Sequence, residues 1–109
     1  QVNGGEHNSR DFLYIDDAVR GLLLAVEKFE KIQGQVINIG TGRETSLSSL
    51  ALLICKHVGA NSDVVKKFDH GISFRAQADI QLAQTLLNFK PAVSLSHGID
   101  IVSNSLKRA

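Results

Sequence analysis

Apolar residues recur at every third or fourth position in four stretches of this sequence, and residues typical of helix ends flank the stretches. This spacing places the apolar side chains on one face of a helix. The four sets are Val19, Leu22, Leu23, Val26 and Phe29; Leu47, Leu50, Ala51, Ile54 and Val58; Ile80, Ala83, Leu86 and Leu87; and Leu95, Ile99, Val102 and Leu106. The sequence therefore predicts four amphipathic helices.

Flanking residues predict where these helices begin and end. Carboxylate and hydroxyl side chains accept hydrogen bonds from free backbone N–H groups at a helix start. Glycine ends helices, and the residue before proline is pushed out of the helical region. The predicted starts are Asp16 with Asp17, Ser46, Asp79 and Ser94, and the predicted ends are Gly34, Gly59 and Lys90 with Pro91.

Only short runs of the chain are suited to strands. Residues 10–15, 36–39 and 64–68 are rich in β-branched or aromatic side chains, and residues 74–78 are expected to be extended. Together with the helices, they predict the fold class: a small α/β unit, rich in helices, with short strands.

Composition excludes several classes of protein. The chain has 109 residues, which suits one small domain, and its 12 Lys and Arg nearly balance 11 Asp and Glu. Near-neutral charge disfavours nucleic acid as a partner, and the lack of about 20 consecutive apolar residues disfavours a membrane span. A single cysteine favours a reducing cytoplasm. Because the chain has no Met and begins with Gln1, we expect it to be part of a longer protein.

The Gly-Thr-Gly sequence at 40–42, called here the 40–42 turn, follows a predicted strand and precedes a predicted helix. Dinucleotide sites use this arrangement, because glycines let the backbone approach a pyrophosphate. The third position of that fingerprint is Thr45 rather than Gly or Ala, and the next acidic residue after the following strand, Asp69, comes late. A tight turn without a cofactor is the favoured interpretation, and a nucleotide site is the alternative.

Arg10 and Asp11 precede an apolar run, and together they are a candidate anion site. A guanidinium matches phosphate oxygens with its planar fork and stays charged, and the neighbouring carboxylate would hold it in place. On spacing alone, the favoured interpretation is an exposed ion pair of little energetic value, and the anion site is the alternative.

No catalytic or metal-binding set is predicted. The four histidines, at 7, 57, 70 and 97, and Cys55 lack metal-ligand spacing. Cys55 lies on an apolar helix and is expected in the core, whereas His70 is expected in a solvated loop. Asp16 and Asp17 are interpreted as helix caps rather than as paired acid-base groups.

The order of the motifs resembles the C-terminal third of the extended short-chain dehydrogenase/reductases that act on nucleotide sugars, the NAD-dependent epimerase/dehydratase family. The matching motifs are RDFLYIDD at 10–17, VINIGTG at 36–42 with TSL at 45–47, AD at 78–79, FKP at 89–91, and SL at 94–95 with GI at 98–99. They cover nearly the whole chain in the order of the family.

The resemblance implies a division of labour. The family's N-terminal Rossmann domain holds NAD or NADP and a Tyr-x-x-x-Lys pair, and its C-terminal part binds the nucleotide diphosphate of the sugar. The one tyrosine here is Tyr14, and Ala18 stands four residues later, so the pair is absent from this chain. The resemblance assigns the diphosphate-binding arginine to Arg10.

A second arginine of the family, in an Arg-x-Gly-Asp stretch, is replaced here. Asp69 stands in place of that arginine and Ile72 in place of its carboxylate. Lys67 or Arg75, and also Lys66, are therefore the candidates to supply the second positive charge.

The sequence predicts the substrate-binding segment, residues 1–109, of an NAD(P)-dependent nucleotide-sugar epimerase or dehydratase, inactive alone and binding no cofactor or metal itself. Its expected partners are a nucleotide-diphosphate sugar and the Rossmann domain. An exposed apolar face is expected, with self-association through it. The alternatives are a stand-alone nucleotide-binding module and an interaction module without a ligand.

Overall fold

The computed structural model of this chain describes residues 8–61, 63 and 74–108. Within these residues the chain forms helices and a two-stranded sheet. In chain order the elements are β1 (Ser9–Arg10), α1 (Ile15–Glu27), α2 (Phe29–Ile32), β2 (Thr45–Ser46), α3 (Leu47–Val58), α4 (Gln81–Leu87) and α5 (Leu95–Lys107). The predicted class, an α/β unit of helices with short strands, is confirmed. The strand predicted at 64–68 lies outside the described residues.

β1 is the centre of the small extended region. It pairs antiparallel with β2, with Ser9 opposite Ser46. On its other side, a parallel bridge joins Ser9 to Arg75, and the Ser9 N–H donates to the Phe74 carbonyl at 3.0 Å. The Ala76 N–H returns a hydrogen bond to the Ser9 carbonyl at 3.1 Å. Residues 74–76, predicted to be extended, therefore lie beside β1.

Two predicted strands are wrong. Of residues 10–15 only Arg10 belongs to a strand, because α1 already begins at Ile15. Residues 36–39 form no ladder within the described part of the chain, and Val36 is 86% exposed. A strand needs a neighbour that supplies backbone donors and acceptors, and the described residues place none beside this segment.

The first predicted helix is divided in two. α1 has Tyr14 at its N-cap position and ends at Glu27, after which Lys28 leaves the helical conformation with φ −105° and ψ 23°. The single turn of α2 follows, and Gly34 adopts a left-handed φ of 76° beyond it. The predicted caps at Asp16 and Asp17 are wrong: no side chain caps α1 among the described residues, and the Asp17 side chain is buried and bonds to a distant loop, as described below.

Both predicted serine caps are confirmed. The Ser46 hydroxyl accepts from the Ser49 N–H at 3.1 Å, and the Ser94 hydroxyl accepts from the His97 N–H at 3.2 Å. α3 ends at Gly59, which adopts a left-handed φ of 72° as its position predicts. These local hydrogen bonds replace the intrahelical partners that N–H groups in a first turn lack.

α4 begins one residue later than predicted, with Ile80 rather than Asp79 at its N-cap position, and it ends earlier. The Asp79 carboxylate accepts from the Gln81 N–H at 3.0 Å. The helix ends at Leu87, where Asn88 takes a left-handed conformation with φ 53°. The prediction that Pro91 ends the helix is therefore wrong, because asparagine tolerates the left-handed conformation that closes a helix.

The core is small and lies where α1, α4 and residues 37–39 meet. Its buried apolar residues are Ile80, Ala83, Leu87 and Phe89, and the partly buried residues around them are Leu13, Leu24, Ala25, Ile32, Ile37, Ile39 and Ala78. Gly21 allows α1 to approach this segment closely, since a Cβ there would lie 3.2 Å from Cγ2 of Ile39.

The outer face of α1 carries the exposed apolar surface that the sequence predicts. Its large side chains are Ile15 (64% exposed), Val19 (44%), Leu22 (65%), Leu23 (63%) and Val26 (75%), and Phe29 (61%) of α2 continues the row. These six residues are called here the α1 stripe. Among the described residues, no helix is long and apolar enough to span a membrane.

Candidate functional site

The 40–42 turn is fastened by the carboxylate of Asp11. Its two oxygens accept from the Thr41 N–H at 3.0 and 3.1 Å, and Oδ2 accepts from the Gly42 N–H at 2.9 Å. The Thr41 hydroxyl donates to Oδ1 at 2.5 Å, and the Ala78 N–H donates to Oδ2 at 3.3 Å. Burial of the Asp11 carboxylate raises its pKa, but these hydrogen bonds outweigh burial, so the pKa lies below its ordinary value of 3.8.

Gly40 makes this contact possible. A Cβ on Gly40 would lie 2.6 Å from Cβ of Ala78 and 2.7 Å from Oδ2 of Asp11, distances too short for any side chain. The backbone N–H groups of the 40–42 turn that a pyrophosphate would use are thus occupied by a carboxylate. This geometry favours the tight turn over a dinucleotide site at residues 40–42.

Arg10 is held by backbone oxygens and by an aromatic ring. Its Nη1 donates to the Ser9 carbonyl at 2.8 Å and to the Phe74 carbonyl at 2.9 Å. The guanidinium carbon lies 4.3 Å from the centroid of the Phe74 ring. The hypothesis that Asp11 holds Arg10 is wrong, because the Asp11 carboxylate bonds to the 40–42 turn. A guanidinium has five N–H donors, and those on Nε and Nη2 of Arg10 have no partner among the described residues.

Arg75 forms an ion pair. Its Nε donates to Oε2 of Glu44 at 3.3 Å, and its Nη2 donates to Oε1 of the same carboxylate. The Ser9 hydroxyl also donates to Oε2 at 2.8 Å. The sequence reasoning missed Glu44, and its spacing from Arg75 carries no local signal.

Arg10 and Arg75, two of the predicted site residues, line one shallow cavity of about 510 Å³ together with Asn38 and Gln77. Both arginines lie there because β1 and residues 74–76 run side by side. Lys67, with Lys66 and His70, lies outside the described residues.

A second buried carboxylate, Asp17, ties α1 to the loop before α5. The side chain is 1% exposed, and it accepts from the Ala92 N–H at 3.0 and 3.1 Å and from the Val93 N–H at 2.9 Å. Arg20 lies one turn further along α1, with Nη2 3.0 Å from Asp17 Oδ1, and it also donates to the Lys90 carbonyl. The signal in the sequence is the spacing of Asp17 and Arg20, which are three residues apart. The sequence analysis interpreted Asp17 only as a helix cap.

The described residues contain no group of three His, Cys, Asp or Glu that could hold a metal ion. Cys55 is half-buried on α3, and the ring of His57 lies between the Leu53 carbonyl at 2.9 Å and the Ser96 hydroxyl at 3.4 Å. Cβ of a side chain at Gly98 would lie 3.2 Å from the ring of Tyr14. Tyr14 is thus a packing residue between α1 and α5.

Several proteins similar to this chain are named as nucleotide-sugar enzymes. The family model described as NAD dependent epimerase/dehydratase family matches residues 1–40. UDP-glucuronate 4-epimerase 4 of Arabidopsis thaliana is 32% identical, over 84% of this chain and 24% of its own length. dTDP-glucose 4,6-dehydratase of Streptomyces niveus is 33% identical, over 90% of this chain and 29% of its own.

A solved structure shows the same fold. The UDP-glucuronic acid 4-epimerase of Bacillus cereus, crystallised in complex with UDP-glucuronic acid and NAD, superposes with a TM-score of 0.83 at 34% identity. The match covers 98% of this chain and 34% of the epimerase. Fold and motif order define a segment of the extended short-chain dehydrogenase/reductase class. The chain is similar to the NAD dependent epimerase/dehydratase family, whose model matches residues 1–40. It spans between about a quarter and a third of the length of the curated relatives it matches.

Proposed function

We propose that residues 1–109 are the C-terminal, substrate-binding segment of an NAD(P)-dependent nucleotide-sugar epimerase or dehydratase. The ordered series of family motifs, and relatives named as UDP-sugar epimerases and a dTDP-sugar dehydratase, support this proposal. The observation that carries it is the setting of Arg10: Nη1 holds the guanidinium in place, and Nε and Nη2 have no partner among residues 8–61, 63 and 74–108.

Arg10 has the properties of a residue that binds a diphosphate. Its Nη1 is bonded to two carbonyl oxygens, and the Phe74 ring supports one face of the guanidinium. The remaining edge presents Nε and Nη2, the pair of donors that matches two oxygens of a phosphate. Because the side chain is already ordered, less rotamer entropy is lost when a ligand binds. The segment would orient the sugar by holding its diphosphate, which is a positioning contribution.

The second positive charge of the proposed site comes from Arg75 or from Lys67. Arg75 lines the cavity that Arg10 lines, and this common location supports its assignment. Lys67 is kept as the other candidate on its position in the sequence alone.

The rest of the intact enzyme is the proposed partner of the α1 stripe and of residues 36–39. Large exposed apolar patches on a soluble unit mark surfaces that another protein surface covers. The chain spans about a third of its relatives, and the remaining two thirds of such an enzyme would supply the cover. We assign NAD or NADP to that remainder, because the 40–42 turn does not fit the cofactor, and we place the enzyme in the cytoplasm.

Titration of the chain with UDP and with NAD separates this proposal from its alternatives. Saturable binding of UDP without binding of NAD is the expected result. A stand-alone nucleotide module that uses the 40–42 turn predicts saturable binding of NAD. An interaction module without a ligand predicts that neither compound raises the melting temperature. We also expect no turnover by the chain alone, since the Tyr-x-x-x-Lys pair is absent from its sequence.

A further inference from the structure

We propose that Glu44 is an internal counter-ion for Arg75, and that Arg75 exchanges the Glu44 carboxylate for a phosphate when a nucleotide diphosphate binds at Arg10. This inference rests on the proposed function of Arg10. In this proposal, Glu44 and Arg75 set the affinity of the site at Arg10 for the nucleotide diphosphate.

The contacts of Glu44 are suited to an exchange. Its carboxylate receives two donors from Arg75 and a third from the Ser9 hydroxyl, at 2.8 Å. When Arg75 leaves, the Ser9 hydroxyl and solvent still solvate the carboxylate, so no unpartnered charge is left buried. The Ser9 backbone is held independently by β2 on one side and residues 74–76 on the other, and the carboxylate therefore keeps its place.

The two side chains of the ion pair differ in exposure, which decides which of them moves. The Glu44 side chain is 25% exposed and the Arg75 side chain is 70% exposed. An exposed pair contributes little to stability, because water screens the charges and ordering a long side chain costs entropy. Arg75 is therefore the mobile member, and Glu44 is the fixed one.

A phosphate competes well for Arg75. The Nε and Nη2 donors that now face the carboxylate form the fork that matches phosphate oxygens, and a diphosphate carries more negative charge than a carboxylate. Arg75 lines the cavity that Arg10 lines, so a ligand held by Arg10 comes within the neighbourhood of Arg75. In the ligand-free chain, Arg10 and Arg75 both bring positive charge to that cavity. The Glu44 carboxylate compensates part of this charge.

The test is a titration of the chain and three variants with UDP. Glu44→Gln removes the competing charge, and we expect it to tighten UDP binding by about two- to fivefold. Arg75→Gln should weaken binding by about the same factor. In the Arg75→Gln background, Glu44→Gln should have no further effect on UDP affinity. The guanidinium for which Glu44 and the phosphate compete is then absent. Asp100→Asn is the matched control, since it removes one negative charge from α5, outside the cavity lining, and should leave the affinity unchanged.

The exchange itself is observed by NMR on the Nε–H resonance of Arg75. We expect this resonance to move when UDP is added to the wild-type chain, and to start near its ligand-bound position in Glu44→Gln. This spectrum also shows whether each variant is folded, so a misfolded variant is replaced by Glu44→Ser and the comparison stands.

Three results would overturn the inference while leaving the proposed function intact. The first is UDP binding that Arg10→Ala abolishes but Glu44→Gln does not change, and the second is a saturated complex in which the Arg75 resonance has not moved. A Glu44→Gln effect that persists in the Arg75→Gln background would also overturn it, because the effect would then be one of net charge. Failure of every variant and of the wild type to bind UDP would overturn both proposals.

Discussion

The carboxylate of Asp17 lies 3.0 Å from the backbone nitrogen of Ala92, which is 75 residues further along the chain. The Ala92 N–H contacts both carboxylate oxygens of Asp17, and the Val93 N–H contacts one of them. Arg20 balances the charge of the carboxylate, and these contacts are called here the Asp17 anchor. Asp17 is a buried charged side chain, and it joins the first half of the chain to the loop that leads into α5. The fold of this segment thus depends on a polar contact as well as on its small apolar core.

Replacing Asp17 with asparagine should destabilise the chain markedly. The amide carries no charge, so the hydrogen bonds from the Ala92 and Val93 N–H groups lose their charge assistance and Arg20 loses its counter-charge. Hydrogen bonds to charged groups contribute about 1.5–3 kcal/mol, and the free energy of unfolding should fall by that amount in a urea titration. Asp16→Asn is the control, because Asp16 is exposed, and it should change the free energy by less than about 0.5 kcal/mol. Equal effects of the two substitutions would contradict the anchor.

The hydrogen bonds at Asp11 predict how stability depends on pH. Because the pKa of Asp11 is lowered from 3.8 in the folded chain, the ionised carboxylate contributes stability above that value, and the contribution is lost as pH falls through the folded pKa. Urea unfolding between about pH 6 and pH 3 should show a loss that is smaller in Asp11→Asn, which has no such group to protonate. Asp100→Asn, on the exposed side of α5, should keep the wild-type profile. A wild-type slope in Asp11→Asn would refute this assignment.

Gly40 is expected to tolerate no side chain. Gly40→Ala would force Cβ against Ala78 and Asp11, at 2.6 and 2.7 Å before any relaxation, and overpacking of this kind costs about 1–3 kcal/mol. Ala78→Gly removes one of the two colliding groups, so the double variant should recover part of the lost stability. Thermal unfolding of the single and double variants measures the coupling, and simple additivity of the two substitutions would argue against the close contact.

Local signals in the sequence predicted where the helices lie and the caps at Ser46, Gly59 and Ser94, because the partners lie within a few residues. Ser46 and Ser94 cap the helices that follow them, as each bonds to an N–H three residues later. Contacts between distant segments were not predictable in this way. Asp17 resembles a helix cap until Ala92 is known to lie beside it, and nothing near Arg75 in the sequence points to Glu44.

The candidate site was predictable only in part, for the same reason. The sequence and its family resemblance singled out Arg10 and Arg75, and the structure places both at one cavity. Asp11 was assigned to the wrong partner, because adjacency in sequence suggested Arg10. Arg10 ends β1 and Asp11 lies just outside it, and the two side chains have different partners: carbonyl oxygens of Ser9 and Phe74 for Arg10, and the 40–42 turn for Asp11.

The α1 stripe should make the isolated chain associate and bind a hydrophobic dye. Lysine at both Leu22 and Val26, which are 65% and 75% exposed, should abolish both properties and change the free energy of unfolding by less than about 0.5 kcal/mol. Sedimentation at several concentrations and dye fluorescence provide the measurements. Lysine at Leu52, which is 48% exposed on α3, is the control and should leave association unchanged. A wild-type chain that stays monomeric at high concentration and binds no dye would exclude this role for the stripe.

The central claim, that Arg10 binds the nucleotide diphosphate, is tested most directly by calorimetry on the intact enzyme and two variants. Charge-assisted hydrogen bonds contribute about 1.5–3 kcal/mol, so Arg10→Ala should weaken binding of the nucleotide sugar by about ten- to a hundredfold. Arg10→Lys should recover only part of the affinity, because an ammonium cannot form the two-pronged contact of a guanidinium. Affinity for NAD or NADP should stay the same in both variants. If Arg10→Ala instead binds the nucleotide sugar within about a factor of two of the wild type, less than 0.5 kcal/mol, Arg10 has only a structural role and the account is contradicted.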